Sequence, residues 1–280
     1  MDKRVAGKYI INNKLGNGNF GSVFKGKHYK NNKDVAIKLE PTETSFKLLQ
    51  HETMILKYLH EHDSRNIPTV YWYGLHDENV CLVMPLYDCS LYDYIVSKND
   101  IAEGKIRSIV YQLISIFESI HNNCVIHRDV KPQNIMLKNG ELCLIDFGFS
   151  VFYIDGDGEH IEDECSDTII GSPKYVSYYV HTGSMSSRRD DLISLGYLYL
   201  FLFQKSLPWE NIPNDDSIVD DYDETSIYNY KNLIRQNMKV IDTILYKTKQ
   251  ISINLYNYIK YVYNLKYDDK PDYHSLRKII

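Results

Sequence analysis

The sequence predicts an α+β fold of two lobes. The first, over about residues 1–86, is a five-stranded antiparallel sheet with one helix, and the second, over about 87–280, is mainly helical. Three observations predict it. Five short strand-like runs, separated by Gly-, Asn- and Asp-rich turns, fall before residue 86. From Ser90 onward the apolar residues recur at helical spacing instead. Residues 127–148, HRDVKPQNIMLKNGELCLIDFG, interrupt that helical pattern with a strand, a Lys138-Asn139-Gly140 turn and a second strand.

The first three strands are expected at residues 9–15, 21–27 and 34–39. Gly16, Gly18 and Gly21 follow a GxGxxG pattern, but a strand comes next and not a helix. The dinucleotide-binding reading needs a strand-to-helix turn and is therefore disfavoured. A flexible hairpin over phosphates fits better, because missing side chains let backbone N–H groups approach an anion. The third strand, with Val35-Ala36-Ile37-Lys38, carries one lysine among apolar residues. Such a lysine is ordinarily a solvated edge charge unless a carboxylate meets it. Glu52 is the candidate partner, on a helix expected over 44–59 from the spacing of Leu48, Leu49, Ile55, Leu56 and Leu59. Strands at 67–74 and 80–85, joined by a polar turn at 76–79, complete the sheet, and 86–90 read as a connector.

In the second lobe, Ile106, Ile109, Val110, Leu113, Ile114, Phe117 and Ile120 mark one apolar face of a long helix. A near-all-round apolar helix follows at 192–203, and helical segments fill most of 225–264.

Asp129 and Asn134 are five residues apart in a loop, and Asp146 follows twelve residues later at the end of an apolar strand. Phosphoryl transfer needs a nucleotide held in line with an acceptor hydroxyl, divalent metal to offset phosphate charge, and a group to orient the hydroxyl. Asp129 would accept or orient the hydroxyl proton, and Lys131 would neutralise the moving phosphate. Asn134, with its neutral carbonyl oxygen, and Asp146, with its carboxylate, would hold Mg²⁺. Lys38 would bind the α- and β-phosphates while Glu52 fixes its direction. An isolated HRD or DFG triplet is an ordinary turn more often than a site; both in this order around a strand-turn-strand form a joint signal.

Of the 280 residues, 44% are hydrophobic and 25% charged, which allows a sizeable core. The formal charge of −5 is mixed along the chain, which argues against nucleic acid or an anionic membrane as the main partner. Cys81, Cys89, Cys124, Cys143 and Cys165 have no metal-ligand or CxxC spacing and read as small hydrophobes in a reducing compartment, cytoplasm or nucleus. The leading residues carry no apolar signal core, and the longest apolar run, 192–203, is short of the ~20 residues a membrane span needs.

With 16–23, Lys38, Glu52, Asp129, Asn134 and Asp146 in order, the chain resembles the eukaryotic protein kinases along essentially its full length. Residues 171–202 (GSPKYVSYYVHTGSMSSRRDDLISLGYLYLFL), the LPWEN run and the KPDY run resemble the casein kinase I family, in which Ser177-Tyr178-Tyr179 would stand where other kinases carry Ala-Pro-Glu. The vaccinia-related kinases share the LPWE run but usually replace parts of the two triplets, which are intact here.

The resemblance implies the bilobal protein-kinase fold and an ATP- and Mg²⁺-dependent serine/threonine kinase, a monomer acting on protein substrates. It places Gly16, Asn17, Gly18, Gly21, Val23, Ala36, Lys38, Met84, Pro85 and Tyr87 around ATP, with Met84 as gatekeeper and the carbonyl of Pro85 and the N–H of Tyr87 facing adenine. Lys131, two residues past Asp129, implies Ser or Thr acceptors. Asp191 would bond back to the backbone of the loop at Asp129. The alternatives are a catalytically weak scaffold of the same fold, whose usual mark is loss of one of the three residues Lys38, Asp129 and Asp146, and a small-molecule phosphotransferase, which lacks the segment after residue 148.

Two features set this chain apart from that family. The acidic loop 155–167 holds seven carboxylates in thirteen residues. It reads either as a solvated surface or as a stand-in for a phosphate paired with Arg128. The family's cationic site for acidic substrates is reduced to Lys174, with Asp167 and Asn229 at its other positions, which implies weak preference for phosphorylated peptides.

Overall fold

The computed structural model describes residues 4–18, 21–166, 168–212 and 224–280. Strands β1 (Tyr9–Gly18), β2 (Gly21–His28) and β3 (Asp34–Pro41) precede helix α1 (Leu48–Glu61), and β4 (Trp72–His76) and β5 (Asn79–Pro85) follow it. Next come β6 (Cys89–Ser90), α2 (Leu91–Val96), α3 (Glu103–Asn122), β7 (Val125–Ile126), the hairpin β8 (Ile135–Lys138) and β9 (Glu141–Leu144), and β10 (Val151–Phe152). The chain continues through α4 (Tyr178–His181), α5 (Arg188–Gln204), α6 (Glu224–Met238), α7 (Ile241–Lys249), α8 (Ile253–Tyr263) and α9 (Tyr273–Ile279). Two compact units result, one of Met1–Leu91 with Asn134–Ser150, the other of Tyr92–Gln133 with Val151–Ile280.

In the first unit the sheet is antiparallel in the order β1-β2-β3-β5-β4. Both faces of β3 are covered, so its apolar residues run on without alternating with polar ones. Val35 and Ile37 pack with Cys81, Val83, Val5 and Tyr9 on one face, while Ala36 and Lys38 pair with Met84 and Leu82 on the other. Helix α1 starts at Leu48 and not at 44, because Thr44 folds back to the Pro41 carbonyl through both its N–H and its hydroxyl. The buried Glu40 carboxylate then accepts the Leu49 N–H at 3.3 and 3.4 Å, supplying the missing cap from β3. Strand β4 starts at Trp72 and not at 67; Pro68 has no N–H to give a ladder, and its carbonyl meets His60 instead. The expected connector at 86–90 contains β6, whose Cys89 and Ser90 pair with Leu137 and Met136.

The β8–β9 hairpin belongs to this unit. Its two-residue turn has φ of 53° at Asn139 and 84° at Gly140, the left-handed pair that a tight hairpin favours. Asn66 accepts from Leu144 N through its carbonyl and donates its side-chain amide to Leu142 O, both at 2.9 Å.

In the second unit the seven residues that marked α3 as amphipathic are all buried, each contributing on the order of 1.5–3 kcal/mol relative to exposure. Helix α5 is buried from Arg188 to Leu202. A capping box of Ser187 and Asp190 starts it, and a Cβ on Gly196 would stand 2.5 Å from Ile259 of α8, so glycine sets how closely these helices pack. No helix of the described residues is long and apolar enough to cross a membrane.

Candidate active site

In the first unit, the alternation of β3 turns Lys38 toward α1, where Glu52 shares the buried face with Leu49, Ile55, Leu56 and Leu59. Lys38 Nζ donates to both Glu52 oxygens at 2.8 and 2.9 Å and to Asp146 Oδ1 at 3.1 Å. The expected Lys38–Glu52 pair is present, with Asp146 as a third member. Burial pulls the Lys38 ammonium down, but the two carboxylates outweigh it and raise its pKa, so the lysine is charged.

Asp146 sits in the left-handed region at φ 70°, a conformation that costs a non-glycine residue of order 1 kcal/mol, and it leads into a tight turn at Phe147–Phe149. Fixing that turn, the Phe147 N–H donates to Glu52, and His51 Nε2 meets Ser150 O at 2.6 Å. Asn134 precedes β8, and its carbonyl accepts the Ile145 N–H at 2.9 Å. With Ile135 opposite Leu144, the hairpin brings Asn134 and Asp146 to its same end.

The glycine hairpin pairs Gly16 with Val23, Asn17 with Ser22 and Gly18 with Gly21. A Cβ on Gly21 would stand 1.9 Å from Leu39 O, so the sheet itself demands that glycine, whereas one on Gly16 would meet nothing within 4 Å. The side chain of Asn17 lies outside the described residues. Met84 is buried opposite Ala36, and Pro85 pairs with Val35. The Tyr87 hydroxyl contacts Cys143 Sγ at 2.9 Å, which turns its ring onto β9.

In the second unit, Asp129 is buried. Its Oδ2 accepts from Lys131 Nζ at 2.7 Å, and its Oδ1 accepts from Ser172 N at 2.9 Å and Ser172 Oγ at 2.7 Å. Lys131 Nζ also donates to Ser172 Oγ at 3.0 Å, closing a triangle. Beneath it, the Asp191 carboxylate accepts the His127 and Arg128 N–H groups at 2.7 and 2.9 Å and meets His121 Nε2 at 3.0 Å. This is the backbone anchor expected of Asp191. It matters because Arg128 is held at φ 69°. Burial works to raise the Asp191 pKa, but the donors from His121 and the backbone prevail and lower it.

Residues 9–276 match the family model of the protein kinase domain. The chain belongs to the protein kinase family. Family membership brings with it ATP as the phosphoryl donor and proteins as substrates.

Sequence reasoning did not single out Ser172 in this kinase. Its signal was the preceding glycine: Gly171 has φ 97°, and a Cβ there would stand 2.2 Å from Arg128 O, so only glycine lets the segment approach the Asp129 loop. Lys174, the candidate anion contact, donates to Glu210 Oε1, so its charge is already matched. Asp167 lies outside the described residues. In the acidic loop, Asp155 caps the Asp157 and Glu159 N–H groups, and Asp163 accepts from Ser184 Oγ and Met185 N.

Proposed function

We propose that this kinase transfers the γ-phosphate of ATP to serine and threonine hydroxyls of proteins, in the manner of the casein kinase I family. The observation that carries the reading is the Asp129–Lys131–Ser172 triangle. It holds a carboxylate in place to orient an acceptor hydroxyl, beside an ammonium that offsets the charge of the moving phosphate. Lys38, aimed by Glu52, takes the α- and β-phosphates. The hairpin at Gly16, Gly18 and Gly21 offers backbone N–H groups to the phosphates. Val23, Ala36, Met84, Pro85 and Tyr87 serve the adenosine.

Asn134 and Asp146 are both hard oxygen donors, and among the described residues no group of three or more His, Cys, Asp or Glu could hold a metal by itself. One carboxylate and one amide suit Mg²⁺, which completes its shell with nucleotide phosphates and water. Bound there, the ion would offset phosphate charge.

Support for the casein kinase I branch comes from Ser177. It is buried, its Oγ donates to Asp190 Oδ1 and accepts the Val180 N–H at 3.1 Å, so the Ser-Tyr-Tyr segment is anchored by a hydroxyl to α5. Retention of Lys38, Asp129 and Asp146 argues against the scaffold alternative. Incubating the protein with labelled ATP, Mg²⁺ and a peptide panel, then identifying the labelled amino acid, tests the proposal: phosphoserine or phosphothreonine supports it, and label confined to tyrosine, or none, contradicts it.

A further inference from the structure

Lys239 directly follows α6 and is fully buried, one of the largest side chains to be so. Its Nζ donates to Pro173 O at 2.9 Å and Val176 O at 2.7 Å, and it meets His181 Nε2 at 3.1 Å. The rings of Tyr197 and Trp209 stand 5.0 and 5.2 Å away. No carboxylate of the described residues pairs with it. Burial, and next the Arg235 charge, push the Lys239 pKa down. The two carbonyl acceptors, the imidazole contact and the two ring faces work the other way and favour the ammonium. His181 Nε2 stands 3.1 Å from both Lys239 Nζ and Pro173 O, while its Nδ1 is buried without a partner. Burial, and next the Lys239 charge, keep that imidazole neutral by pushing its pKa down to about 3. The backbone of Lys239 is held too, since its carbonyl accepts the Tyr263 hydroxyl at 2.9 Å.

Both carbonyls that Lys239 grips belong to the turn that Ser172 opens, because Tyr175 N and Val176 N donate to Ser172 O at 2.7 and 3.0 Å. The far side of that turn is Ser172 on Asp129. We propose that Lys239 is a positioning residue for phosphoryl transfer, a buried cation that locks the 172–176 turn so that the N–H and hydroxyl of Ser172 are held against the Asp129 carboxylate. This rests on the reading of Asp129 and Ser172 given above. Core packing alone would call for an unbranched apolar side chain at 239. It does not explain why a cation lies between two carbonyls and a neutral imidazole.

The test is a double-mutant cycle in the full chain, read as steady-state kinetics with a peptide acceptor. Lys239→Met, close in shape but without donors, should lower kcat/KM for the peptide about tenfold or more while KM for ATP changes less than about twofold. Combined with Ser172→Ala, it should add little, because the two substitutions cut the same chain of contacts. His181→Ala, which deletes one acceptor and keeps the lysine, should give a smaller loss with the same split between peptide and ATP; it carries the cycle if Lys239→Met does not fold. Additive losses with Ser172→Ala, or parallel losses in peptide and ATP parameters, overturn the inference alone. Wild-type turnover in Ser172→Ala overturns the reading beneath it, and this inference with it.

Discussion

Ser172 Oγ donates to Asp129 Oδ1 at 2.7 Å across 43 residues of chain, and the Ser172 N–H reaches the same oxygen at 2.9 Å. The carboxylate that should orient the acceptor is therefore aimed by a residue from a different segment. Ser172→Ala keeps the backbone donor and removes the hydroxyl, so kcat should fall about tenfold while KM for ATP is unchanged. Ser172→Thr should recover most of the rate. A Thr variant as slow as Ala, measured with saturating ATP, would place the hydroxyl outside the mechanism.

Lys38 has two carboxylate partners, and Glu52 has one lysine. Lys38→Ala should therefore cut kcat/KM by about two orders of magnitude or more if, as proposed, the lysine meets the phosphates. Glu52→Ala should cost less, since Asp146 still restrains the lysine. The reverse order in matched kinetics would show that the pairing serves something other than nucleotide binding.

Acid should destabilise this fold before its carboxylates titrate. The His181 pKa is pushed down to about 3, first by burial and then by the Lys239 charge, from an ordinary 6.5. Burial likewise lowers His121. In each case the unfolded chain binds the proton more readily than the folded chain, so stability is full above about 6.5 and declines as pH falls below it, for His181 down to about 3. The slope from His181 is at most about 1.4 kcal/mol per pH unit. Denaturant melts at pH 7.5 and 5.5 should show the loss, and His181→Gln should flatten part of it; parallel melts for both proteins contradict the assignment.

Lys174 is matched by Glu210, with side chains 24% and 33% exposed, so its attraction for a substrate phosphate is largely cancelled. Each such contact is worth about 1 kcal/mol or less. A peptide carrying phosphoserine three residues before the target serine should gain less than about tenfold in kcat/KM over its unphosphorylated twin. Glu210→Gln should raise that ratio by freeing the lysine. A large preference in the wild type, unchanged in the variant, would mean that another cation reads the phosphate.

Much of the site was legible because its signals are local. GxGxxG, the lysine in β3, Glu52 on the buried face of α1, Asn134 and Asp146 at one end of a hairpin, and Asp129 five residues before Asn134 in sequence are each set by short-range spacing. What escaped depends on residues far apart in the chain. Helix α1 starts where Glu40 reaches Leu49, β6 exists only because β8 returns to it, and Ser172 meets Asp129 only because Gly171 lets the segment approach. Lys239 illustrates the limit: what marks it is its contact with the carbonyls of Pro173 and Val176, more than 60 residues away in the chain.

Whether the Asp129 carboxylate orients the acceptor hydroxyl is read from Asp129→Asn. The substitution keeps the shape and a hydrogen-bonding oxygen while removing the charge that accepts a proton. Followed by transfer from labelled ATP to a serine peptide, with nucleotide affinity measured on the same protein, the variant should lose about a thousandfold or more in kcat and bind ATP as the wild type does. Turnover within about tenfold of wild type would show that the Asp129 charge does not orient the acceptor.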